Sequence, residues 1–351
     1  MDVQHKIKSF SILGRFLDQF RSENPVKNQD VPFNDDFFDK FESLIRISQS
    51  YNGWFTEDQV RFAVASWADA LTEDNLNKWL TPYGIEERNK KTVGLVLAGN
   101  IPLVGFHDFL SVLMSGNKAL IKLSSNDQVL LPFLAKYLIA INPDFSDYIE
   151  FTEGRLQDYD AVIATGSNNT SRYFEYYFRD KPSIIRKNRN SVAVLSGDES
   201  ESQLVALGED IFRYFGLGCR NVSKLFVPKG YDFQPLFKAL YEYRDVIEYK
   251  KYANNYDYNK AVFLMSNFQL LDNGFLTLKE DTAYSSPISS VFYEYYDNVE
   301  SVVKRISDDA EQLQCVVSNL IDGSVGFGQT QKPQLWDYAD NVDTMKFLLS
   351  L

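Results

Sequence analysis

The chain has 351 residues, of which 44% are hydrophobic and 15% aromatic, enough for two compact domains or one large domain with a well-filled core. Two cysteines and two histidines, without a CxxC motif or a Cys/His cluster, exclude a disulfide framework and argue against a metal site. The net charge of −12 argues against general nucleic-acid binding. No segment approaches the roughly 18 uninterrupted apolar residues of a membrane helix, and the N-terminus lacks a signal-peptide pattern, so we expect a cytoplasmic protein with reduced thiols.

Residues 1 to about 85 are predicted to be mainly helical, because FNDDFFDKFESLIRISQSY and EDQVRFAVASWADAL begin with acidic residues and carry apolar residues at helical spacing. From residue 91 strands and helices alternate. In chain order they are strand KTVGLVLAG, helix LVGFHDFLSVLM, strand ALIKL, helix QVLLPFLAKYLIAI, strands DYIEFTE and DAVIAT, helix NNTSRYFEYYF and strand SVAVLSG. This alternation predicts a parallel sheet with helices on both faces.

A second series begins near residue 200. It consists of helix ESQLVALGEDIFRYF, strand KLFVP, helix DFQPLFKALYEYRDVI, strands AVFLM and SPISSVFYEYY, and helix NVESVVKRI, followed by a loop-rich tail. We therefore expect two α/β domains on a helical N-terminal segment. The most positive run, KPSIIRKNR at residues 181–189, is interpreted as a solvated loop, with a pocket for an anionic cofactor as the alternative.

Polar residues follow the ends of the predicted strands, where parallel sheets bind ligands. Asn100 follows the first strand, so its amide is either an oxyanion donor or an ordinary turn residue. Lys122 lies near the end of ALIKL and either meets a nucleotide ribose or phosphate or extends to water. Thr165-Gly166-Ser167 joins a strand to a helix, which suits either a pyrophosphate or a capped helix start without ligand. No GxGxxG follows any early strand, which argues against an ordinary Rossmann dehydrogenase.

Cys219 follows Gly216-Leu217-Gly218, and glycines allow a backbone to approach a bound molecule closely. A thiol is a nucleophile only as the thiolate, and an unperturbed thiol is only a few per cent ionised near neutral pH. Lone cysteines are usually small buried hydrophobes, and Cys315 is interpreted as one. The glycines and polar neighbours of Cys219 favour a catalytic interpretation over that one.

In order and spacing these segments resemble the aldehyde dehydrogenase superfamily, whose cofactor domain uses no GxGxxG. Asn-Ile-Pro-Leu matches its Asn-Phe-Pro-Leu element, Lys122 to Ser125 its Lys-Pro-Ser-Glu, and Thr165 to Ser167 its Thr-Gly-Ser. FGLGCRNVSKLFV matches its nucleophile segment, and KEDTAYSSPISS weakly matches its Glu-Glu-x-Phe-Gly-Pro, with shifted spacing. The resemblance implies catalytic roles for Cys219 and Asn100. It implies that the cofactor contacts Lys122, Ser125, Thr165, Gly166, Ser167 and Glu280.

Within the superfamily, the short length and the ending YADNVDTMKFL are most similar to the acyl-CoA reductases of the LuxC family. The likeness covers about residues 90 to 345. It implies an aldehyde dehydrogenase-like α/β fold with two α/β domains. The expected parts are a helical segment 1–88 packing on the cofactor domain, a Rossmann-like NAD(P)-binding domain 89–198, a catalytic α/β domain 199–328, and a tail 329–351 returning to the site.

Two departures from the superfamily pattern are informative. Aligning the serine of its Glu-Leu-Gly-Gly-Lys-Ser with Ser191 puts Arg186, give or take one residue, at the position of the general base that activates water. A reductase does not need that base, although an inactive relative would also lack it. Ser125 replaces the acid that often holds the adenosine ribose of NAD, which favours NADPH over NADH.

The resemblance therefore implies reduction of a fatty acyl-CoA thioester by NADPH to the aldehyde, through an S-acyl-Cys219 intermediate and without a metal. The alternatives are an acyl-phosphate reductase, a dehydrogenase that oxidises aldehydes, or a non-catalytic protein that binds an acyl group or a nucleotide. A homo-oligomer stays open. A partner enzyme that transfers the acyl group or consumes the aldehyde is expected by analogy only.

Overall fold

A computed structural model describes residues 1–86 and 89–351. The chain forms two compact units. The first comprises Met1–Lys187 and Gln334–Leu351, and the second comprises Asn188–Pro333. The boundary that we predicted between residues 88 and 89 directly follows Glu87 and Arg88, which lie outside the described residues.

The first unit begins with four helices and continues with a five-stranded α/β sheet. Its elements are α1 (Val3–Asp18), α2 (Asn34–Tyr51), α3 (Glu57–Ala70), α4 (Glu73–Leu80), β1 (Thr92–Val96), α5 (Phe106–Met114), β2 (Lys118–Lys122), α6 (Leu130–Ile141), β3 (Ile149–Phe151), β4 (Ala161–Thr165), α7 (Asn168–Tyr177) and β5 (Ser183–Arg186). The strand order is β3-β2-β1-β4-β5, and all four pairings are parallel. This order matches the first five strands of the doubly wound 3-2-1-4-5-6 fold that binds dinucleotides.

Aromatic side chains of the N-terminal helices pack into the core of the first unit. The rings of Phe16 on α1 and Tyr137 on α6 stack with centroids 4.1 Å apart, and Phe41 on α2 stacks on Phe133 at 5.0 Å. Large rings of this kind bury much apolar area and pack in preferred geometries. Helices α1 and α2 are therefore continuous with the core that supports the sheet.

The second unit contains a six-stranded sheet. Its elements are β6 (Asn190–Val194), α8 (Glu201–Phe212), β7 (Val222–Pro228), α9 (Gln234–Leu240), α10 (Lys250–Met265), β8 (Leu270–Asp272), β9 (Thr277–Glu280), β10 (Ser290–Tyr296), α11 (Val299–Asp308) and β11 (Leu313–Val317). The strand order is β11-β6-β7-β10-β9-β8. The pairings are parallel except that of β8, which runs antiparallel to β9.

Several details differ from the predicted elements. AVFLM, predicted as a strand, forms the last turns of α10, because a five-residue apolar run fits a helix face as well as a strand. SIIR, within the run interpreted as a solvated loop, forms β5 and buries Ile184. We placed SVAVLSG before a boundary at residue 198, whereas the structure divides the units between Lys187 and Asn188, and β6 pairs with β7 and β11 of the second sheet. An apolar run is buried equally well in either sheet, so the pattern does not reveal its partners.

The C-terminal residues belong to the first unit and end in α12 (Thr344–Leu349). The buried guanidinium of Arg186 fastens them. It donates two hydrogen bonds to Asp108, one of them at 2.7 Å, one to the carbonyl of Ala339 at 2.9 Å and one to the hydroxyl of Thr344 at 2.9 Å. A bidentate pair of this kind holds its partners in one geometry.

None of the helices in the described ranges combines the length and the apolar character that a membrane crossing requires.

Breaking the buried pair should destabilise the first unit. We expect Arg186→Met to lower the free energy of unfolding by about 3–5 kcal/mol, because Asp108 then keeps a buried charge without its cation. His107 cannot replace that cation, because burial lowers its pKa. The matched control is Arg179→Met, which removes an exposed arginine 3.7 Å from Asp180 and should cost less than about 1 kcal/mol. Urea unfolding measures the free energy of unfolding of both variants. Equal losses would contradict the stabilising role of the Arg186–Asp108 pair.

Candidate active site

The carboxyl edge of the first sheet collects most of the predicted cofactor residues. Lys122 ends β2 and pairs in register with Val96 at the end of β1, and Thr165 ends the adjacent strand β4. Asn100 lies in the loop that follows β1, with its side chain exposed. The strands β2, β1 and β4 are neighbours, so the structure brings Lys122, Asn100 and Thr165 to one edge of the first unit.

Two side chains that the sequence analysis missed fasten the loop of Asn100. The amide of Asn52, which follows α2, donates to the carbonyl of Gly99 at 3.2 Å, and the N–H of Leu103 donates to a carboxylate oxygen of Asp127 at 3.3 Å. Leu103 has a φ of 56°, a left-handed conformation that is strained for leucine. A Cβ on Gly99 would lie 3.0 Å from the backbone nitrogen of Asp127, so glycine allows this close approach.

Asp127 is buried, and burial raises its pKa to about 6. Its Oδ1 has no hydrogen-bond partner among the described residues, while Oδ2 holds Leu103. Asn52 also donates to the carbonyl of Asn126 at 3.2 Å, so one amide connects the loops that follow β1 and β2. No sequence motif marks Asn52 or Asp127, because both act through loops distant in the chain.

The Thr-Gly-Ser turn has the predicted strand-to-helix geometry. Ser167 is the N-cap of α7 and accepts a hydrogen bond from the N–H of Thr170 at 3.3 Å. A Cβ on Gly166 would lie 2.9 Å from the ring of Phe174, so the helix packs closely on the turn. The capping bond occupies the serine side chain. Ser125 lies in the exposed turn after β2.

In the second unit the two cysteines differ as expected. Cys219 is exposed and Cys315 on β11 is buried. Between α8 and Cys219, three successive residues, Tyr214, Phe215 and Gly216, have φ values of 53°, 57° and 76°. Left-handed aromatic residues are strained and persist where the surroundings hold them, often at functional sites.

The surroundings here are organised by Asn221. We call residues 218–221 the thiol turn. The buried amide of Asn221 donates to the carbonyls of Asp210, Ile211 and Arg213 at the end of α8, at 3.1, 3.4 and 2.8 Å. Its oxygen accepts the N–H of Gly218 at 2.8 Å. One side chain therefore ends the helix and holds the turn that presents the thiol.

A second attachment comes from residues 328–330. The buried carboxylate of Asp210 accepts the N–H groups of Gly328 at 2.7 Å and Thr330 at 3.0 Å, and the Thr330 hydroxyl at 2.8 Å. Arg220, next to Cys219, donates to the carbonyl of Thr330 at 2.5 Å. Burial raises the pKa of Asp210, and these donors act in the opposite direction. The start of the C-terminal tail is thus bound to the thiol turn.

Glu280 is exposed at the end of β9. Across the sheet Glu280 lies opposite Leu225 of β7, two strands away. Cys219 lies before the first residue of β7 and therefore before Leu225. Within the second unit the pairing therefore does not bring Glu280 alongside Cys219.

The loop after Glu280 is nevertheless fastened by neighbours that include β7. The carbonyls of residues 281, 282 and 284 accept from Lys224 at 2.9 Å, Arg305 at 2.8 Å and Ser223 at 2.8 Å. Lys224 is fully buried and also donates to Glu294 at 2.6 Å.

The position aligned with the general base of hydrolytic aldehyde dehydrogenases holds Arg186, whose guanidinium is committed to Asp108 and the C-terminal segment. Among the described residues, no group of three or more His, Cys, Asp or Glu side chains is arranged to hold a metal ion.

Comparison with known proteins relates this geometry to a family. The family model described as acyl-CoA reductase (LuxC) matches residues 76–240, which include Asn100, Lys122, Thr165 and Cys219. The resemblance to the LuxC family is confirmed over these residues. No curated protein sequence matches the chain.

Solved structures similar to this LuxC-like chain are aldehyde dehydrogenases. Aldehyde dehydrogenase 21 from Physcomitrella patens, in complex with the reaction product succinate, has 12% identity and a TM-score of 0.66, covering 99% of this chain and 88% of that one. An aldehyde dehydrogenase from Bacillus cereus in complex with NAD+ has 15% identity and a TM-score of 0.61, covering 91% and 72%. An indole-3-acetaldehyde dehydrogenase from P. syringae has 12% identity and a TM-score of 0.60, with the same coverage.

The fold is therefore that of the aldehyde dehydrogenases. Together with the LuxC match, it supports an oxidoreductase that acts on aldehyde or acyl groups.

The buried carboxyl of Asp127 should make stability depend on pH. Its pKa is higher in the folded than in the unfolded chain, so the folded state binds the proton more tightly. The contribution of Asp127 to wild-type stability should therefore fall as pH rises from about 4 to 6. Asp127→Asn keeps an acceptor for Leu103 but cannot ionise, so its stability relative to wild type should rise over this range by about 2 kcal/mol.

Urea unfolding at several pH values measures this difference. Asp147→Asn, at an exposed site of the same unit, controls for the loss of one negative charge. Parallel wild-type and Asp127→Asn curves would contradict the prediction.

Proposed function

We propose that this protein reduces an acyl-CoA thioester to the aldehyde with NADPH, through an S-acyl intermediate on Cys219. The observation that carries the proposal is the exposed thiol of Cys219 on a turn held by the buried Asn221 amide. The LuxC family match supports the acyl-CoA substrate, and the aldehyde dehydrogenase fold supports the covalent route.

The proposed reaction starts with attack of the Cys219 thiolate on the thioester carbonyl. The family resemblance assigns the developing oxyanion to the N–H of Cys219 and the side-chain amide of Asn100. A donor of this kind lowers the activation barrier by about 3–4 kcal/mol. CoA leaves as a thiolate, which yields S-acyl-Cys219. When bound, the reduced nicotinamide supplies the hydride that the acyl carbon needs. Collapse then releases the aldehyde and regenerates the Cys219 thiolate, and the one proton taken up overall converts the released CoA thiolate to the thiol.

The first unit offers groups that fit a dinucleotide. Lys122 supplies a cation at the end of β2, and the start of α7 presents backbone N–H groups beyond Thr165 and Gly166. Gly166 packs against Phe174, so only a glycine allows this turn its close geometry. We propose that Lys122 and Ser125 contact the adenosine ribose and that residues 165–167 contact the pyrophosphate. Glu280 stays a proposed contact of the nicotinamide ribose.

The commitment of Arg186 to Asp108 supports reduction over hydrolysis. Release of free acid from S-acyl-Cys219 needs a base that activates water. A guanidinium held by a carboxylate cannot act as that base. S-acyl-Cys219 is therefore not hydrolysed before hydride reaches it, and we expect aldehyde as the product.

Activity assays test the nucleophile. Wild-type protein with an acyl-CoA series and NADPH should lose the absorbance of the reduced nicotinamide, and Cys219→Ser should be at least a thousandfold slower, because a hydroxyl is a poorer nucleophile than a thiol. Cys315→Ala, at the buried cysteine, is the control and should retain turnover. Asn100→Ala should lower kcat by about 10²–10³-fold.

Turnover by Cys219→Ser equal to wild type would overturn the assignment. Faster turnover of acyl phosphate, or formation of acid from aldehyde and oxidised cofactor, would assign a different reaction. No turnover with any of these would favour a binding protein.

Cofactor choice is tested at Ser125. The nearest carboxylate in its loop, Asp127, is buried and holds Leu103. Ser125→Glu places a negative charge where we propose the 2′-phosphate lies, so kcat/KM for NADPH should fall about tenfold more than for NADH. Ser125→Gln is the uncharged control of nearly equal size. An equal loss for both cofactors would contradict this placement.

A further inference from the structure

The backbone on both sides of Cys219 is held by hydrogen bonds. The carbonyl of Gly218 accepts the N–H of Asn221 at 3.0 Å. Because a trans peptide is planar, the N–H of Cys219 points in the direction opposite to that carbonyl, away from Asn221. The carbonyl of Cys219 accepts the hydroxyl of Ser191 at 2.9 Å, which holds the next peptide plane. With both flanking planes held, φ and ψ of Cys219 are defined.

Ser191 is fully buried on β6, one strand away from the thiol turn. The pairing of β6 with β7 shifts at this point, since Ser191 is opposite Val222 but Val192 is opposite Lys224. A second shift occurs on the other side of β6, between Leu313 and Cys315 of β11. An extra residue in one strand of a pair interrupts the regular pairing and redirects nearby side chains. The register shift therefore occurs at the residue whose hydroxyl donates to the Cys219 carbonyl.

We propose that Ser191 is a positioning residue for the nucleophile, whose hydroxyl holds the Cys219 peptide so that the Cys219 N–H keeps a constant direction toward the substrate oxyanion. The proposal rests on the proposed function for its effect on turnover. Its effect on the thiol itself does not depend on that function. Ser191 does not touch substrate in this role, since it acts on the backbone of Cys219.

The second unit contains a matched control. Ser318 is also buried, and its hydroxyl donates at 2.9 Å to the carbonyl of Val194, at the other end of β6. Ser191→Ala and Ser318→Ala therefore each remove one serine-to-carbonyl bond of the same length from β6, and Ser318→Ala also removes the acceptor of the Leu320 N–H at 3.0 Å. A purely structural contribution should therefore affect Ser318→Ala at least as much as Ser191→Ala.

The first readout is steady-state turnover of acyl-CoA. We expect Ser191→Ala to lower kcat at least tenfold with KM changed less than twofold, because an oxyanion contact acts in the transition state. Ser318→Ala should stay within twofold of wild type in both constants at a similar melting temperature. Equal kcat for the two variants would overturn the proposal.

The second readout is the rate of Cys219 alkylation by iodoacetamide across pH 6 to 9, followed by peptide mass analysis with Cys315 as internal reference. We expect Ser191→Ala, but not Ser318→Ala, to change this profile by threefold or more in rate. If wild-type protein turns over no acyl-CoA, the proposed function fails, and this profile alone decides the positioning role. Coincident profiles of the two variants would then overturn it.

If Ser191→Ala does not fold, Ser191→Thr and Ser191→Val replace it. Threonine and valine have the same branched shape and differ only in a hydroxyl group in place of a methyl group. Any steric clash caused by the extra methyl group relative to serine therefore affects both variants. We expect the Thr variant to exceed the Val variant at least tenfold in kcat and threefold in alkylation rate. Equal values would overturn the proposal.

Discussion

Where helix α8 ends, the buried amide of Asn221 makes four hydrogen bonds, three to carbonyls of the helix end and one to the N–H of Gly218. Helix ends leave carbonyls without intrahelical partners, and a buried one is costly unless it is satisfied. The same amide supports a chain path in which Tyr214 and Phe215 are left-handed. The exposure of Cys219 therefore depends on a polar network below the surface.

The positions of the candidate cofactor residues could be predicted because they follow strand ends. Lys122 and Thr165 end apolar runs. Such runs predict buried parallel strands even when the neighbouring strands in the sheet are unknown. Cys219 was indicated by its glycines. Asn52, Asp127 and Asn221 could not be predicted, because their roles consist of hydrogen bonds to backbone groups, which any sequence offers. The sheet to which β6 belongs was equally hidden, since pairing partners leave no mark on a short apolar strand.

Arg186 illustrates how one position changes its role with its partners. In the alignment with the superfamily it stands near a general base, and here it is a buried cation that holds Asp108 and the C-terminal segment. Buried pairs contribute little net stability over an apolar replacement, but losing one partner is costly. A carboxylate placed at this position would therefore remove the ion pair with Asp108 before it could act as a base. The side chain that the alignment places near the general-base position is thus the one that attaches the last helix.

The first unit is discontinuous in the chain, since Gln334–Leu351 complete it after the whole second unit has been made. Met345 and Leu348 of this terminal piece are fully buried in the same hydrophobic cluster as Leu113 of α5. Domains generally fold as they emerge from the ribosome, in the order of synthesis. In this chain the first unit is started first but completed last. Its core cannot close until α12 has been synthesised. While the second unit is synthesised, the nascent chain therefore exposes apolar core residues of the first unit that the C-terminal segment later covers. Exposed apolar surface of this kind is what chaperones bind.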